Sequence, residues 1–251
     1  MWNPFNQNKI RNSDPGKRSL QLITQKNMPF AYIEAYKSLR TNLNFLAGSN
    51  DVHSLVVTST APEESKSNVS VNLALTLAES GKKVVLVDCD LRKPVLHKYL
   101  KAGHNLKGIS NLLSRQAELS DALVSLESFG FDFLPAGTTP PNPSELLGSE
   151  RMRELLRNMR TQYDCIIIDL PPVGIVTDAL LLSHEVTAYL LVVRAGVSHM
   201  GREKLAVTLL EQVDADICGI LFNGLPPKSR DYNYRLQQYW NEYKQQNEGV
   251  V

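Results

Sequence analysis

The sequence predicts an α/β fold, a mainly parallel sheet with helices on both faces in a single domain, and three observations carry that expectation. Apolar runs of strand length alternate with helix-patterned segments along the chain, an order that implies parallel strands joined by crossover helices. Two runs, Lys83-Val84-Val85-Leu86-Val87-Asp88 and Cys165-Ile166-Ile167-Ile168-Asp169, end on carboxylates, at the strand end where open α/β sheets bind ligands. A third, Leu55-Val56-Val57-Thr58, enters Ser59-Thr60-Ala61-Pro62-Glu63-Glu64-Ser65-Lys66-Ser67-Asn68 and then an apolar helix pattern. That is the strand, loop and helix of a P-loop, so the fold is expected to be P-loop NTPase-like. With 251 residues and 43% hydrophobic content, the chain can bury one good core.

Residues 1–28 are polar, with Asn, Gln, Lys, Ser and a Pro-Gly, and are expected to form a flexible N-terminal segment. The main domain is expected over 29–225 and a tyrosine-bearing tail over 226–251. A helix is predicted over 31–47, where Ala31, Ile33, Ala35, Leu39, Leu43 and Leu46 recur and Glu34, Lys37 and Arg40 share another side at spacing three. The charged stripe reads equally as a solvated face. Strands at 54–58 and 83–88 flank a helix at 67–80, the first βαβ unit. Short helices follow at His97–Leu100, Ile109–Leu113 and Leu119–Leu126, broken by Gly103 and Gly108. The run Phe131-Asp132-Phe133-Leu134-Pro135 is a predicted strand, with a Gly/Thr/Pro-rich loop over 136–143 behind it. Ser144 starts a helix carried by Leu146, Leu147, Met152, Leu155, Leu156 and Met159. Strands are predicted at 164–169, 188–194 and 216–222, separated by helices near 178–184 and 201–213.

In a P-loop, loop amides and the helix N-terminus face phosphates, a lysine reaches the β- and γ-phosphates, and a hydroxyl ligates Mg²⁺. Lys66 and Ser67 occupy those places, but Ser65 replaces the glycine before the lysine and Thr60 the first glycine. An ordinary strand-turn-helix connection is the competing reading. The cost of Ser65 turns on its backbone: little at negative φ, and strain of order 1–3 kcal/mol at positive φ. Glu63 and Glu64 bring negative charge near the phosphates, and their side chains are expected to point to solvent. Asp88, Asp90 and Arg92 follow one strand and Asp169 another, a set suited to a metal and phosphate. A lone Asp at a strand end is commonly a helix cap or loop residue; three of them beside Lys66 and Ser67 favour a site.

The chain resembles the bacterial tyrosine kinases of capsule and exopolysaccharide synthesis over roughly residues 30–245. The resemblance rests on Glu34-Ala35-Tyr36-Lys37-Ser38-Leu39-Arg40, VVLVDCDLRKP at 84–94, PPNPSELL at 140–147, IIIDLPP at 166–172 and the tyrosine-bearing tail. This chain has Ser65, Lys37 and Leu170 where the family has glycine, usually arginine and often threonine. The resemblance implies an ATP- and Mg²⁺-dependent protein-tyrosine kinase. In it Ala61, Pro62, Glu63, Glu64, Ser65, Lys66, Ser67, Asn68 and Asn223 would border the nucleotide, and Ser67, Asp90 and Asp169 would hold the metal. Asp88 would approach the acceptor hydroxyl and Arg92 the phosphate side. It further implies a ring-like homo-oligomer through Glu34, Lys37 and Arg40, a membrane-anchored polysaccharide co-polymerase as activator, and a cognate phosphotyrosine phosphatase. A nucleotide-binding pseudokinase and a partitioning-type ATPase like MinD or ParA, which uses ATP to switch dimerisation, remain alternatives on the same fold.

The net charge of +1 gives no reason to expect nucleic acid. Lys9, Arg11, Lys17 and Arg18 are dispersed among polar residues and read as a solvated tail. No apolar run approaches the roughly 18 residues of a membrane span, so the chain is expected in the cytosol, recruited to the membrane's inner face by a partner. Cys89, Cys165 and Cys218 lack C-x-x-C spacing and are expected as reduced thiols; the five histidines show no metal-ligand spacing. Beyond Asn-Gly-Leu-Pro-Pro at 223–227, Tyr232, Tyr234, Tyr239 and Tyr243 fall in a polar segment with Trp240. Phosphoacceptors and a docking helix are the two readings of that cluster.

Overall fold

The computed structural model describes residues 20–46, 52–103 and 105–224. Among them the order is α1 (Phe30–Leu46), β1 (Ser54–Ser59), α2 (Lys66–Glu79), β2 (Val84–Asp88), α3 (Leu96–Tyr99), α4 (Ile109–Leu113), α5 (Leu119–Ala122), β3 (Val124–Leu126) and β4 (Phe131–Leu134). Then come α6 (Pro143–Leu147), α7 (Glu150–Arg160), β5 (Cys165–Asp169), a 3-10 turn (Thr177–Leu182), β6 (Ala188–Arg194), α8 (Met200–Glu211) and β7 (Ile217–Asn223). The strands form one sheet in the order β3-β4-β2-β5-β1-β6-β7. Every pairing is parallel except β3 with β4, as the alternating pattern predicts.

Side chains alternate across the sheet and feed two cores. Val56, Val85, Val87, Ile166, Ile168, Leu191 and Val193 pack on one face with Met152, Leu156 and Met159 of α7 and Ala206 and Leu210 of α8. Leu55, Val57, Leu86, Ile167, Leu190 and Val192 pack on the other with α2 and with Tyr36 and Leu43 of α1. Burial of β1, β2 and β5 on both faces explains their unbroken apolar runs.

Three element boundaries depart from expectation. The helix predicted over Leu119–Leu126 stops at Ala122, and Val124–Leu126 pairs antiparallel with β4; the Phe129-Gly130 turn, whose amides donate to the Leu126 carbonyl, closes a hairpin too short to show a strand period. The helix predicted from Ser144 through Met159 is two helices. Gly148 caps α6, and the Ser149 hydroxyl accepts from the Met152 amide to start α7 afresh. The segment near 178–184 is a 3-10 turn over Thr177–Leu182 rather than an α-helix.

The register sets the site. In β2 and β5 Asp88 lies opposite Asp169, and in β5 and β1 Asp169 lies opposite Val57, two residues before the loop. Three adjacent parallel strands therefore deliver the P-loop and two carboxylates to one edge of the sheet.

Candidate active site

The loop after β1 leaves the sheet at Ser59 and re-enters helix at Lys66. Glu63 has φ 71° and Ser65 φ 72°, both left-handed. Side chains with a Cβ are strained there, so Ser65 falls on the costly branch of the sequence argument. Ser65 is also the residue before α2, yet its hydroxyl caps no helix amide, and nothing offsets the strain through a cap.

Glu64 corrects the expectation that both glutamates point to solvent. Its carboxylate is buried, at 1% exposure. One oxygen accepts from the amides of Thr60 and Ala61 at 2.7 and 2.9 Å, the other from the Thr60 hydroxyl at 2.8 Å and from the Ser198 hydroxyl. The physical reason is the ring closed within five residues: two loop amides turn toward one point, and the Glu64 carboxylate occupies it. The Ala61 amide is thereby taken by Glu64. Pro62 and Glu63 are exposed, and the Glu63 carbonyl accepts from Arg194 of β6 at 3.0 Å.

The Lys66 ammonium lies 3.1 Å from Asp90 and 3.2 Å from Asp169. The Ser67 hydroxyl donates to Asp169 at 2.7 Å, and Ser70 donates to its other oxygen at 2.9 Å. Asp88 accepts from the Asp90 amide at 3.2 Å and from the Leu96 amide at 3.3 Å. Burial alone would favour loss of the Lys66 proton, but Asp169, Asp90 and Asp88 outweigh it and hold the ammonium above its ordinary value. Burial, and then the charge of Asp169, pushes the Asp88 carboxyl well above the usual carboxylate range; burial likewise raises Asp169 against the opposing pull of Lys66 and Ser67. Three carboxylates thus share one ammonium. The Ser67 hydroxyl and the Asp90 and Asp169 oxygens are hard donors of the kind Mg²⁺ takes together with waters, although among the described residues no three carboxylates are grouped as a metal site.

Arg92 is turned to different partners. Its guanidinium meets the buried Asp178 through two bonds, Nε at 2.7 Å and Nη2 at 2.9 Å, and Nη2 also donates to Ser144 at 2.8 Å. The Ser144 hydroxyl donates to the same Asp178 at 2.8 Å. Asp178 is held below the usual carboxylate range: burial opposes this, and the Arg92 and Ser144 bonds prevail. Asp178 and Ser144 are site residues that the sequence reading did not single out for this role. The signal available was a carboxylate opening a helix-like segment nine residues past Asp169, which by itself reads as a cap.

The segment after β5 is laid tightly on the loop. The Val173 amide donates to the Ser59 carbonyl at 2.9 Å, and the Thr58 hydroxyl donates to the Pro171 carbonyl at 2.8 Å. A Cβ at Gly174 would stand 2.3 Å from the Thr60 carbonyl oxygen, so glycine is required there.

Asn68 follows Ser67 and accepts from the Tyr32 hydroxyl of α1 at 2.9 Å. Asn223 lies at the end of β7, where its carbonyl accepts from Ala195 and its side chain from the Gly224 amide. Of the α1 stripe, Glu34 and Lys37 pair with each other at 2.8 Å and Arg40 donates to the Thr76 carbonyl of α2. The stripe is therefore not wholly a solvated one: Arg40 ties α1 to the P-loop helix. Cys89 and Cys165 are buried free thiols and Cys218 is half-buried and free; burial pushes Cys165 up to about 12 and Cys218 up to about 11. Tyr232, Tyr234, Tyr239 and Tyr243 lie outside the described residues, as do Lys9, Arg11, Lys17 and Arg18. No helix among the described residues is long and apolar enough to cross a membrane.

A parallel sheet with a lysine-bearing loop after β1 and aspartates closing β2 and β5 defines a P-loop domain, and residues 64–213 match the AAA domain family. The chain is also 33% identical over 227 residues to the tyrosine-protein kinase wzc of Salmonella typhimurium, covering 89% of this chain. The kinase domain of Escherichia coli tyrosine kinase ETK superposes with a TM-score of 0.76 at 32% identity, covering 88% of this chain and 87% of that one. The chain belongs to the bacterial tyrosine kinase family. It spans about a third of the length of the curated relatives it matches, 31% in the case of wzc. MinD of Pyrococcus horikoshii, solved with Mg-ADP, superposes with a TM-score of 0.60 at 23% identity and shares the fold.

Proposed function

We propose that the chain is a protein-tyrosine kinase domain that binds Mg-ATP at the β1, β2 and β5 edge and transfers phosphate to tyrosines of its own C-terminal segment. The observation that carries the proposal is Lys66, held 3.1 and 3.2 Å from Asp90 and Asp169 with Ser67 bonded to the same Asp169. Phosphoryl transfer asks for positioning and neutralised charge more than covalent work, and these residues supply both. Lys66 and the amides of Ser65 to Asn68 would take the phosphates; Ser67, Asp90 and Asp169 would hold Mg²⁺, which when bound draws charge from the phosphate oxygens. Asp88, whose burial strengthens its hold on a proton, would accept the proton of the acceptor hydroxyl. Arg92, tied back by Asp178 and Ser144, would form the wall on the acceptor side, and Asn223 would border the base.

The finer assignments belong to the same proposal. Residues 29–225 are the catalytic unit, with 1–28 and 226–251 as appendages. Tyr232, Tyr234, Tyr239 and Tyr243 are the acceptors, phosphorylated by a neighbouring subunit of a ring built through Glu34, Lys37 and Arg40. Lys37 keeps the charge of the family's arginine but not its fork, so the contact is weaker here. A membrane-anchored polysaccharide co-polymerase would recruit and activate the chain at the inner face of the membrane by favouring the competent state, and a phosphotyrosine phosphatase would reverse the modification. Glu63 and Ser65 in left-handed backbone favour one rival, a pseudokinase that binds nucleotide without transfer.

One experiment separates them. The chain and its Lys66→Met variant are incubated with Mg²⁺ and labelled ATP, alone and mixed, with nucleotide binding by calorimetry and phosphotyrosine mapping by mass spectrometry. The kinase reading expects tail phosphotyrosine in the wild type, none in Lys66→Met alone, and label on Lys66→Met in the mixture. Binding without phosphotyrosine identifies the pseudokinase; neither binding nor transfer removes the proposal.

A further inference from the structure

β7 ends the sheet order and carries an apolar face that no described element covers fully. Its register sets Ile220 beside Leu191 and Phe222 beside Val193, so both lie on the face that α8 covers with Ala206 and Leu210. Leu191 and Val193 are buried under that cover, yet Ile220 is 47% and Phe222 60% exposed. The helix lies over β6 and stops short of β7. Met200, in the first turn of α8, is 71% exposed. Arg194, six residues before Met200, pairs with Asn223, so the start of α8 and the end of β7 share one corner of the sheet. Large apolar side chains grouped in this way mark a contact surface.

The same chain carries a matching piece. Tyr232, Leu236, Tyr239, Trp240 and Tyr243 recur at offsets of four, seven, eight and eleven, the stripe of an amphipathic helix, while Asn233, Arg235, Gln237, Gln238, Asn241 and Glu242 fill the other side together with Tyr234. Twelve residues of helix extend about 18 Å, the length of the twelve-residue α8. Such a helix is marginal alone in water. The chain also departs from the patch itself: Gly224, at φ 71°, bends away from β7 against the Arg194 side chain, where a Cβ would meet Cγ at 3.3 Å. The seven residues 225–231 then reach about 23 Å when extended, enough to turn back along α8.

We propose that residues 232–243 dock their aromatic stripe, in cis, on the face formed by Ile220 and Phe222 of β7 and Met200 at the start of α8. The chain's own segment is favoured over a second copy because it leaves the sheet at the patch and its seven-residue linker is long enough to turn back on it. The proposal concerns the chain without nucleotide and is independent of the phosphate site. A charge on Tyr239 would stand on the apolar face, so Tyr239→Glu undocks the segment.

The test uses the full chain with Trp2→Phe, which leaves Trp240 as its single tryptophan. Trp240 emission is expected blue-shifted and several-fold less quenched by acrylamide than in the Ile220→Ser/Phe222→Ser and Tyr239→Glu variants, at every protein concentration. Both serine substitutions fall on exposed positions, and circular dichroism checks the fold. As the reciprocal measurement, Trp240→Ala is expected to raise hydrogen exchange across 217–223 and 200–211. Equal quenching in all variants overturns the proposal, as does unchanged exchange in Trp240→Ala. Shielding that grows with protein concentration, together with a doubled mass by light scattering, assigns the face to a second copy and overturns it too.

Discussion

Replacing Ser65 by glycine isolates the strain of the phosphate loop. At φ 72° and ψ 24° a residue with a Cβ costs about 1–2 kcal/mol relative to its right-handed conformation. Glycine removes that cost but loses about 0.4–1 kcal/mol through the greater freedom of the unfolded chain. No cap bond is lost, because the Ser65 hydroxyl makes none to α2. The expected net change is a stabilisation of about 0–1.5 kcal/mol, or up to roughly 5 °C in melting temperature for a chain of this size. Ser65→Val should move the other way, since a β-branched residue in this region is worse than serine. Thermal melts of the three proteins, with and without Mg-ATP, decide it. The nucleotide-induced rise in melting temperature should be similar in Ser65→Gly and wild type, because the left-handed backbone is already in place without nucleotide. A valine variant as stable as the glycine variant would refute the reasoning, because position 65 would then not hold left-handed backbone.

Glu64→Ala leaves the amides of Thr60 and Ala61 without their acceptor, and at about 1–3 kcal/mol for each unsatisfied group the melt should fall well below wild type; Glu64→Gln, which keeps one carbonyl for the amides, should recover most of the loss. Gly174→Ala puts a methyl against the Thr60 carbonyl and should cost about 1–3 kcal/mol by overpacking, with weaker nucleotide binding by calorimetry because the loop must shift. Asp178→Asn removes a carboxylate whose folded value lies below its unfolded one. The stabilisation from that carboxylate is present above about pH 3.9 and lost as pH falls through the folded value. The melting temperatures of wild type and Asp178→Asn should therefore differ most near pH 7 and converge as pH falls below the usual carboxylate range; a gap that stays constant would show that the carboxylate's charge does not carry the difference.

The sheet was legible because β1, β2 and β5 are buried on both faces, which writes them as unbroken apolar runs, and because Asp88 and Asp169 stop those runs at the functional edge. Asp90 and Asp169 were legible for the same reason, since each lies within two residues of a strand end, and Lys66 and Ser67 because they open the helix that follows the loop after β1. The hairpin of β3 and β4 was not, since three residues of strand show no period and its pairing partner comes after it. The break at Gly148-Ser149 was masked by a helical pattern that continues through it. Arg92, Ser144 and Asp178 meet from positions far apart in the chain, and no local spacing announces a bond between them. Glu64 was misjudged because polarity suggests solvent, whereas the loop's own amides turn inward and take its carboxylate.

The place of Lys66 between Asp90 and Asp169 makes the resting site a closed electrostatic account with one entry on the positive side. A phosphate that draws the ammonium away leaves three buried carboxylates facing one another, and a divalent ion that arrives first must compete with the ammonium already there. If the proposed site binds Mg-ATP, each ligand would prepare the ground for the other. Reciprocity would then make the factor by which nucleotide tightens Mg²⁺ equal the factor by which Mg²⁺ tightens nucleotide, and such a site would discriminate against free nucleotide and free ion alike.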